Sequence, residues 1–493
     1  MQIMKKYIYI AASLLVLGGC SLDINESPNS PSSEDMNATL IFPSIENFVA
    51  DAIGDQMFNY GGFFAQYFEQ MPEANQYNNL AEYDLDEGSN LFDRCYRNLY
   101  AGALKDVNEV LARTSNPADV FAATVLRAYS LALVVDNLGS APYTEAIKGN
   151  ENTNPKWEDG VAVYEGILAE MDAAQKNVSE GASLSVSDYI LDGDGDEWIK
   201  FANALRLRYY LRLIDGGKDA YKAKLTALVA EGNFPENDVK WDVYLDQEGQ
   251  YNPWFHSVFS LTNNHCAAYP IVSYMSSTSD PRIATYIKKN EADDKYVGQI
   301  PGAKSRMKEW SGSDWKNKNV SKIDYAPTHA MPIYLFTAAE LNFLIAEVEI
   351  RFNSNNTAAK DAYEAGVKAD FASRKVEGAD DFLANASVSF DAAADKLKLI
   401  GMQKWVALFM RDHMEAWSEA RRTDYPAVST LTAKEVYSDA TAYTAGEFIV
   451  PAVNNIEAGG VIMRVPFPEN ARKYNTNTPP FQTCDKKVFF DKK

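Results

Sequence analysis

PADVFAATVLRAYSLALVVDNLGSAPY, residues 117–143, runs apolar and small residues at helical spacing to Leu138, then stops at Gly139 with Pro142 just behind. A glycine followed by a proline is how a helix ends, because glycine accepts the left-handed backbone and proline cannot continue the ladder. The spacing predicts a helix over 117–138. An amphipathic stretch over 90–113 precedes it, joined by a short Thr-Ser-Asn-Pro turn. A second pair follows: 158–176 places Val161, Tyr164, Ile167, Leu168 and Met171 on one face, and 197–214 does the same with Trp198, Phe201, Leu205, Tyr209 and Leu213. A third pair runs over 334–352 and 357–372, and a last long helix over 397–422. Small residues such as Ala123, Ala128, Ala339 and Ala346 allow close helix contact. Paired helices of this length suggest a tetratricopeptide-like stack; uneven spacing leaves an irregular helical domain open as the alternative.

Between the second and third pairs the chain changes character. Residues 230–330 hold Trp241, Trp254, Trp310 and Trp315, many Tyr, Asn and Ser, and six prolines from Pro235 to Pro327. This reads as a loop-rich lobe on a helical frame, and loops on a rigid frame are where binding residues sit.

The N-terminus reads as a targeting segment. Lys5 and Lys6 lead an uncharged run from Tyr7 to Leu17, and Leu17-Gly18-Gly19-Cys20 closes it as a lipoprotein cleavage box. Residues 1–19 are the expected leader, Cys20 the lipid-bearing residue, and the polar, acidic 20–35 a tether to a body spanning 36–493. The formal charge of −21 becomes −23 without the two leader lysines, which argues against nucleic acid or an anionic membrane surface as a ligand. Cys95, Cys266 and Cys484 leave room for one disulfide or three buried thiols. The four histidines show no metalloprotease spacing.

Several phrases resemble the SusD/RagB family of outer-membrane nutrient-binding lipoproteins, its SusD-like subgroup in particular. They are RAYSLALVVDNLGSAPYTEA from Arg127, WIKFANALRLR from Trp198, Asp280-Pro281-Arg282, AELNFL from Ala339 with Ala346-Glu347, Trp405, Glu415-Ala416-Trp417, Arg421 to Pro426, and the closing Arg464-Val465-Pro466-Phe467-Pro468. The last is similar to the family's closing strand, with Phe467 where Tyr is common. The resemblance implies an all-α fold: about four tetratricopeptide-like pairs (about 90–215 and 334–426) carrying the lobe as a ligand-binding region. It also implies a partner, a SusC-type TonB-dependent transporter in the outer membrane. The implied task is capture of an oligosaccharide, or a peptide, without chemistry.

Within those phrases Asp136, Tyr143, Arg421 and Arg422 are expected to hold helix ends. For a sugar, which offers flat apolar faces ringed by hydroxyls, the candidates are Tyr67, Trp254, Tyr274, Trp310 and Trp315, with the Asn-rich stretch 66–83 beside them. The pair inside Trp310-Ser311-Gly312-Ser313-Asp314-Trp315 is the least easily explained by core packing. Asp192, Asp194 and Asp196 alternate with glycines like the opening of a calcium loop, but Glu197 and Asn203 stand where an EF-hand needs Gly and Glu. An irregular calcium site and an acidic turn capping the next helix both remain open; no other cofactor is expected. Nucleophile elbows, phosphate loops and dinucleotide fingerprints are missing from the sequence, so no catalytic residue is assigned. A glycan-degrading enzyme and a scaffold binding only protein are the alternatives.

Overall fold

The computed structural model describes residues 36–259, 264–456 and 459–492. The leader, Cys20 and the tether lie outside them. The long helices are α1 (Ala38–Gly54), α2 (Gln56–Phe64), α3 (Lys105–Arg113), α4 (Pro117–Leu138), α5 (Gly160–Gln175), α6 (Gly195–Asp215), α7 (Ala338–Val348), α8 (Asn356–Ser373), α9 (Lys396–Leu408) and α10 (His413–Thr423). Eight of them start at an Asn, Asp or Thr whose side-chain oxygen accepts a first-turn N–H: Asn37, Asn116, Asp159, Asp194, Thr337, Asn355, Asp395 and Asp412. Each such cap contributes about 1 kcal/mol. Gly139, at φ 77°, ends α4 as its sequence predicts.

Four pairs stack: α3 with α4, α5 with α6, α7 with α8, and α9 with α10. α3 is entered from Asp93–Arg97 through a π-wound turn, Asn98–Leu104, that lies against α1. There a Cβ on Gly102 would fall 2.5 Å from the Phe48 ring, so only glycine lets the two helices meet. Among the described residues six short strands form three antiparallel ribbons. β1 (Phe68–Gln70) pairs with β5 (His265–Ala267), β2 (Ser140–Pro142) with β3 (Trp157–Asp159), and β4 (Val239–Trp241) with β6 (Ile333–Phe336). The lobe over 230–330 is loop-rich, pinned to the helical body by the β1–β5 and β4–β6 ribbons.

Four features depart from the sequence expectation. The single helix expected over 397–422 is two, because Met410 takes a positive φ of 58° and Asp412 caps a new start. The third pair begins at Ala338 rather than Tyr334, since Tyr334 belongs to β6. The closing segment 461–468 joins no strand; it is buried, with the Val465 N–H donating to the Asn137 carbonyl at 3.0 Å. Helices α1, α2 and Lys222–Glu231 stand where no helix was expected. Cys95, Cys266 and Cys484, the cysteines among the described residues, are free thiols in the interior.

The pairs are joined by buried charge. Arg212 on α6 reaches Asp136 on α4 at 2.6 Å and Glu415 on α10 at 2.5 Å. Its neighbour Arg208 binds Glu340 on α7 at 2.6 Å. Arg422 on α10 holds Glu347 on α7 (2.6 Å), Glu419 (2.7 Å) and Asp215 at the end of α6 (2.6 Å), and Lys404 on α9 joins both glutamates. The lobe is tied in the same way: Arg282 meets Asp280 at 2.6 Å and Asp370 on α8 at 2.8 Å, and donates to Gln403 on α9.

Removing one partner of a buried ion pair costs about 3–5 kcal/mol, because the partners left behind keep their desolvation penalty. Arg422→Ala is therefore expected to lower unfolding free energy by about that amount, read as a reduced urea midpoint at unchanged slope. A midpoint equal to that of the parent would remove Arg422 from the joint. A second expectation concerns α1. Burial, then a hydrogen bond to Asp188, pushes the Glu46 carboxyl from 4.5 up to about 10. Burial works to raise the neighbouring Asp188, but hydrogen bonds from Glu46, Trp198 and the backbone N–H groups of Leu191 and Gly193 together hold it low. Glu46 keeps its proton in the folded chain and loses it in the unfolded one. Its contribution is thus full below pH 4.5 and declines as pH rises toward about 10. Glu46→Gln, which cannot titrate, is expected to flatten that decline in denaturation midpoints measured between pH 5 and 9; an unaltered slope would refute the assignment.

Candidate functional site

Three of the five aromatic candidates belong to the core. Tyr67 is fully buried, stacked on Trp405 at 5.4 Å, with its hydroxyl donating to the Trp405 carbonyl. Trp254 is fully buried and stacks on Phe68 at 5.6 Å. Tyr274 lies edge-on to Trp405 and accepts a 3.2 Å hydrogen bond from Gln403. Each ring closes the seam between lobe and helices and has its polar tip satisfied inside, so none offers a face to a ligand. The calcium reading also needs correction. Asp194 accepts the N–H groups of Asp196 and Glu197 as the cap of α6, while Asp196 accepts from Gly181. Among the described residues no group of three acidic, His or Cys side chains converges on a metal position. The acidic turn is the reading that the geometry favours.

Trp310 and Trp315 remain half-buried. With Tyr437 they pack around one small apolar cluster that includes Ile300, Met307 and Val436. Trp310 lies 5.6 Å from Tyr437, and the exposed Lys434 ammonium sits 5.0 Å over the first ring and 5.2 Å over the second. The Trp315 Nε1–H donates to Gln299 at 2.8 Å, which fixes its ring. These rings are positioned by their inner edges and meet solvent at their outer ones.

A cleft of 430 Å³ opens elsewhere, between the start of α2, segment 76–94 and residues 257–258. Its lining is amide-rich: Asn59, Gln76, Asn79 and Asn90, with Arg94 and Asp55 as the charged pair. Arg94 bonds Asp55 at 2.5 Å and Asp51 at 3.0 Å. Burial raises the Asp55 pKa, and the Arg94 charge works against that rise. The Asn59 oxygen takes the Trp254 Nε1–H at 3.4 Å and meets His265 Nε2 at 2.7 Å. Indole donates only, so this contact fixes the amide orientation and leaves its NH₂ for the cleft. Burial pushes His265 down to about 3, so it stays neutral. Trp254 thus serves the site from behind.

Cleft and rings share one segment. Glu73 and Asn317 exchange backbone and side-chain hydrogen bonds at 2.9 and 3.0 Å, and Lys304 bonds Asn78 at 3.1 Å. Segment 73–78, which supplies Gln76 and Tyr77 to the cleft, is thereby fastened to the loops carrying Trp310 and Trp315. The stretch 66–83 stands out in the sequence, whereas Asn59 and Arg94 do not: they are single polar positions on helices and carry no pattern of their own.

The family model described as "Starch-binding associating with outer membrane", SusD-like, matches residues 28–443. No curated protein sequence matches the chain. Among solved structures, a SusD homologue from Bacteroides uniformis is 22% identical and covers 93% of this chain and 100% of its own, at a TM-score of 0.70. A chitin-binding SusD homologue from Flavobacterium johnsoniae is 22% identical, covering 92% and 98%, at 0.74. One from Bacteroides thetaiotaomicron is 21% identical, covering 93% and 100%, at 0.71. At these identities the likeness establishes a common fold, the helical-pair scaffold with its lobe. The match over most of the sequence makes this chain a member of the SusD-like family.

Proposed function

We propose that this protein is a lipid-anchored binding protein of the outer-membrane surface, which captures an oligosaccharide and passes it to a SusC-type TonB-dependent transporter without cleaving it. One observation carries the reading: the SusD-like match spans scaffold and lobe together. The family description and the chitin-binding relative point to carbohydrate. The geometry suits that ligand. Half-exposed rings offer faces for sugar C–H groups, while amides and a guanidinium in the neighbouring cleft offer partners for hydroxyls. Asp55, the carboxylate in the cleft lining, is engaged by Arg94 together with Asp51, an arrangement that favours holding a ligand over acid–base work on it.

Calorimetric titration with malto- and chito-oligosaccharides and with mixed peptides tests the ligand class. Binding of an oligosaccharide, unchanged on recovery, is the expected result. Recovery of shortened sugars would make the protein an enzyme, and heat from peptides alone would move the ligand class. Loss of one ring face is worth about 1 kcal/mol, so Trp310→Ala should weaken binding roughly fivefold. Full affinity in that variant would take the rings out of the site. Cys20→Ala should shift the protein from the membrane to the soluble fraction of fractionated cells; retention in the membrane would refute the anchor.

A further inference from the structure

The chain is strongly acidic, at −21, yet one segment of the lobe has the opposite sign. Segment 302–322 carries six basic residues against Glu309 and Asp314, a net charge of +4, and it is the segment that presents Trp310 and Trp315. Lys308 is paired with Asp314 at 2.8 Å and Lys322 with Glu291 at 2.5 Å. Arg306, Lys316 and Lys318 are exposed and make no ion pair among the described residues. Lys434 joins them from the neighbouring helix, its ammonium above both Trp310 and Tyr437. The acid next to it, Glu435, is committed to a capping box with Thr432.

Charge of this kind is not needed to keep the protein soluble, since its net charge is already far from zero. Part of it offsets local acids, Lys322 at Glu291 and Lys308 at Asp314, but Arg306, Lys316, Lys318 and Lys434 are left without an ion pair among the described residues. What it does is leave unpaired cations on the segment that carries Trp310 and Trp315, with the Lys434 ammonium over the Trp310 and Tyr437 rings. A neutral sugar stacking on Trp310 or Tyr437 must push the Lys434 ammonium off both rings and leave it unpaired. A sugar bearing a carboxylate or sulfate displaces the same ammonium and then pairs with it, so the cation becomes part of the site. The acidic body would also repel a polyanion at long range, and a basic patch at the point of contact offsets that repulsion.

We infer that the ring surface of the lobe recognises an anionic oligosaccharide, one carrying uronate carboxylates or sulfate esters, with Lys434, Lys316 and Arg306 as its charge-reading residues. This rests on the oligosaccharide-binding reading above and narrows it. The experiment compares oligogalacturonate, a sulfated chondroitin oligosaccharide, maltoheptaose and chitohexaose by calorimetry on the full-length protein, with vesicles containing anionic lipid as a further arm. An anionic sugar is expected to bind at least tenfold tighter than the neutral ones. Its affinity should fall roughly tenfold between about 0.05 M and 0.5 M NaCl, since exposed charges are screened. The triple variant Arg306→Gln, Lys316→Gln, Lys434→Gln, all at exposed positions, should lose roughly tenfold for the anionic sugar and retain the parent's circular dichroism. Salt-independent binding of a neutral sugar, unmoved by the triple variant, would overturn the inference and leave the oligosaccharide reading standing. Failure of every sugar would overturn both. Binding to anionic vesicles with no affinity for soluble anionic sugar would assign the patch to a lipid surface and overturn the inference.

Discussion

Arg212 is the joint of this fold. It lies fully inside the protein, and its guanidinium is shared by a carboxylate from the first helix pair and one from the fourth. A buried ion loses hydration worth several kcal/mol, and only well-placed partners recover it. Helices α4, α6 and α10 therefore have little freedom to slide or rotate against one another. Arg422 repeats the arrangement a few turns away, with carboxylates from α6, α7 and α10 around one guanidinium. Apolar packing alone tolerates small changes of register, because Leu, Ala and Val make nearly equivalent contacts after a shift. Forked guanidinium–carboxylate contacts do not. In a stack whose repeats are uneven in length, the ionic core supplies the register that repetition would supply elsewhere.

The lobe inherits its position from that core. Arg282 joins Asp280, in the lobe, to Asp370 and Gln403 on α8 and α9, while β1 and β5 stitch the far side. The aromatic residues in this seam, Tyr67, Trp254 and Tyr274 among them, are packing elements. With its inner face fixed in this way, the lobe can carry rings and amides outward on irregular loops without those loops having to be stable by themselves. The Trp310 segment shows the pattern in miniature: a single short helical turn, Met307–Ser311, held by Met307 pointing inward while Trp310 stays at the margin.

How far the sequence discloses this varies with the physics involved. Helix starts and stops are local, so Asn116, Gly139 and Asp194 announce them through residue type and spacing alone. The break between α9 and α10 is only partly local: Asp412 caps a new start and the Met410 N–H donates to His413, while Arg411 bonded to Tyr286 in the lobe and His413 bonded to the Phe58 carbonyl hold Met410 at its unfavourable φ. Within 405–415 the Asp412 cap marks a helix start, but nothing there signals the contacts to Tyr286 and Phe58. The acidic Asp192–Asp196 run resembles a metal loop because cap and ligand use the same residue type, and only the directions of the carboxylates separate the two. Trp254 and Trp310 sit in equally polar stretches of sequence, yet one is in the core and the other at the surface. Burial of a lone aromatic is decided by which element covers it, and that is tertiary information. Asn59 and Arg94, which line the cleft, have no neighbours in sequence that mark them.

These contrasts explain why the family is legible from the sequence while the ligand is not. The resembling phrases supply Asp136, Arg208, Asp280, Arg282, Glu340, Glu347, Glu415 and Arg422, and every one of these is a buried member of the ionic core. A motif built from such residues reports the constraint that holds four helix pairs and a lobe together. It constrains nothing about the outer faces of Trp310 and Tyr437. The charges there are of the opposite kind: exposed, mostly without partners, and free to be exchanged with little effect on the fold. Arg422 and Lys434, twelve residues apart in the chain, show the division. One cation is locked among carboxylates and sets the geometry of the scaffold; the other rests on two rings at the surface, where exchanging it leaves the scaffold intact and alters only what those rings will hold.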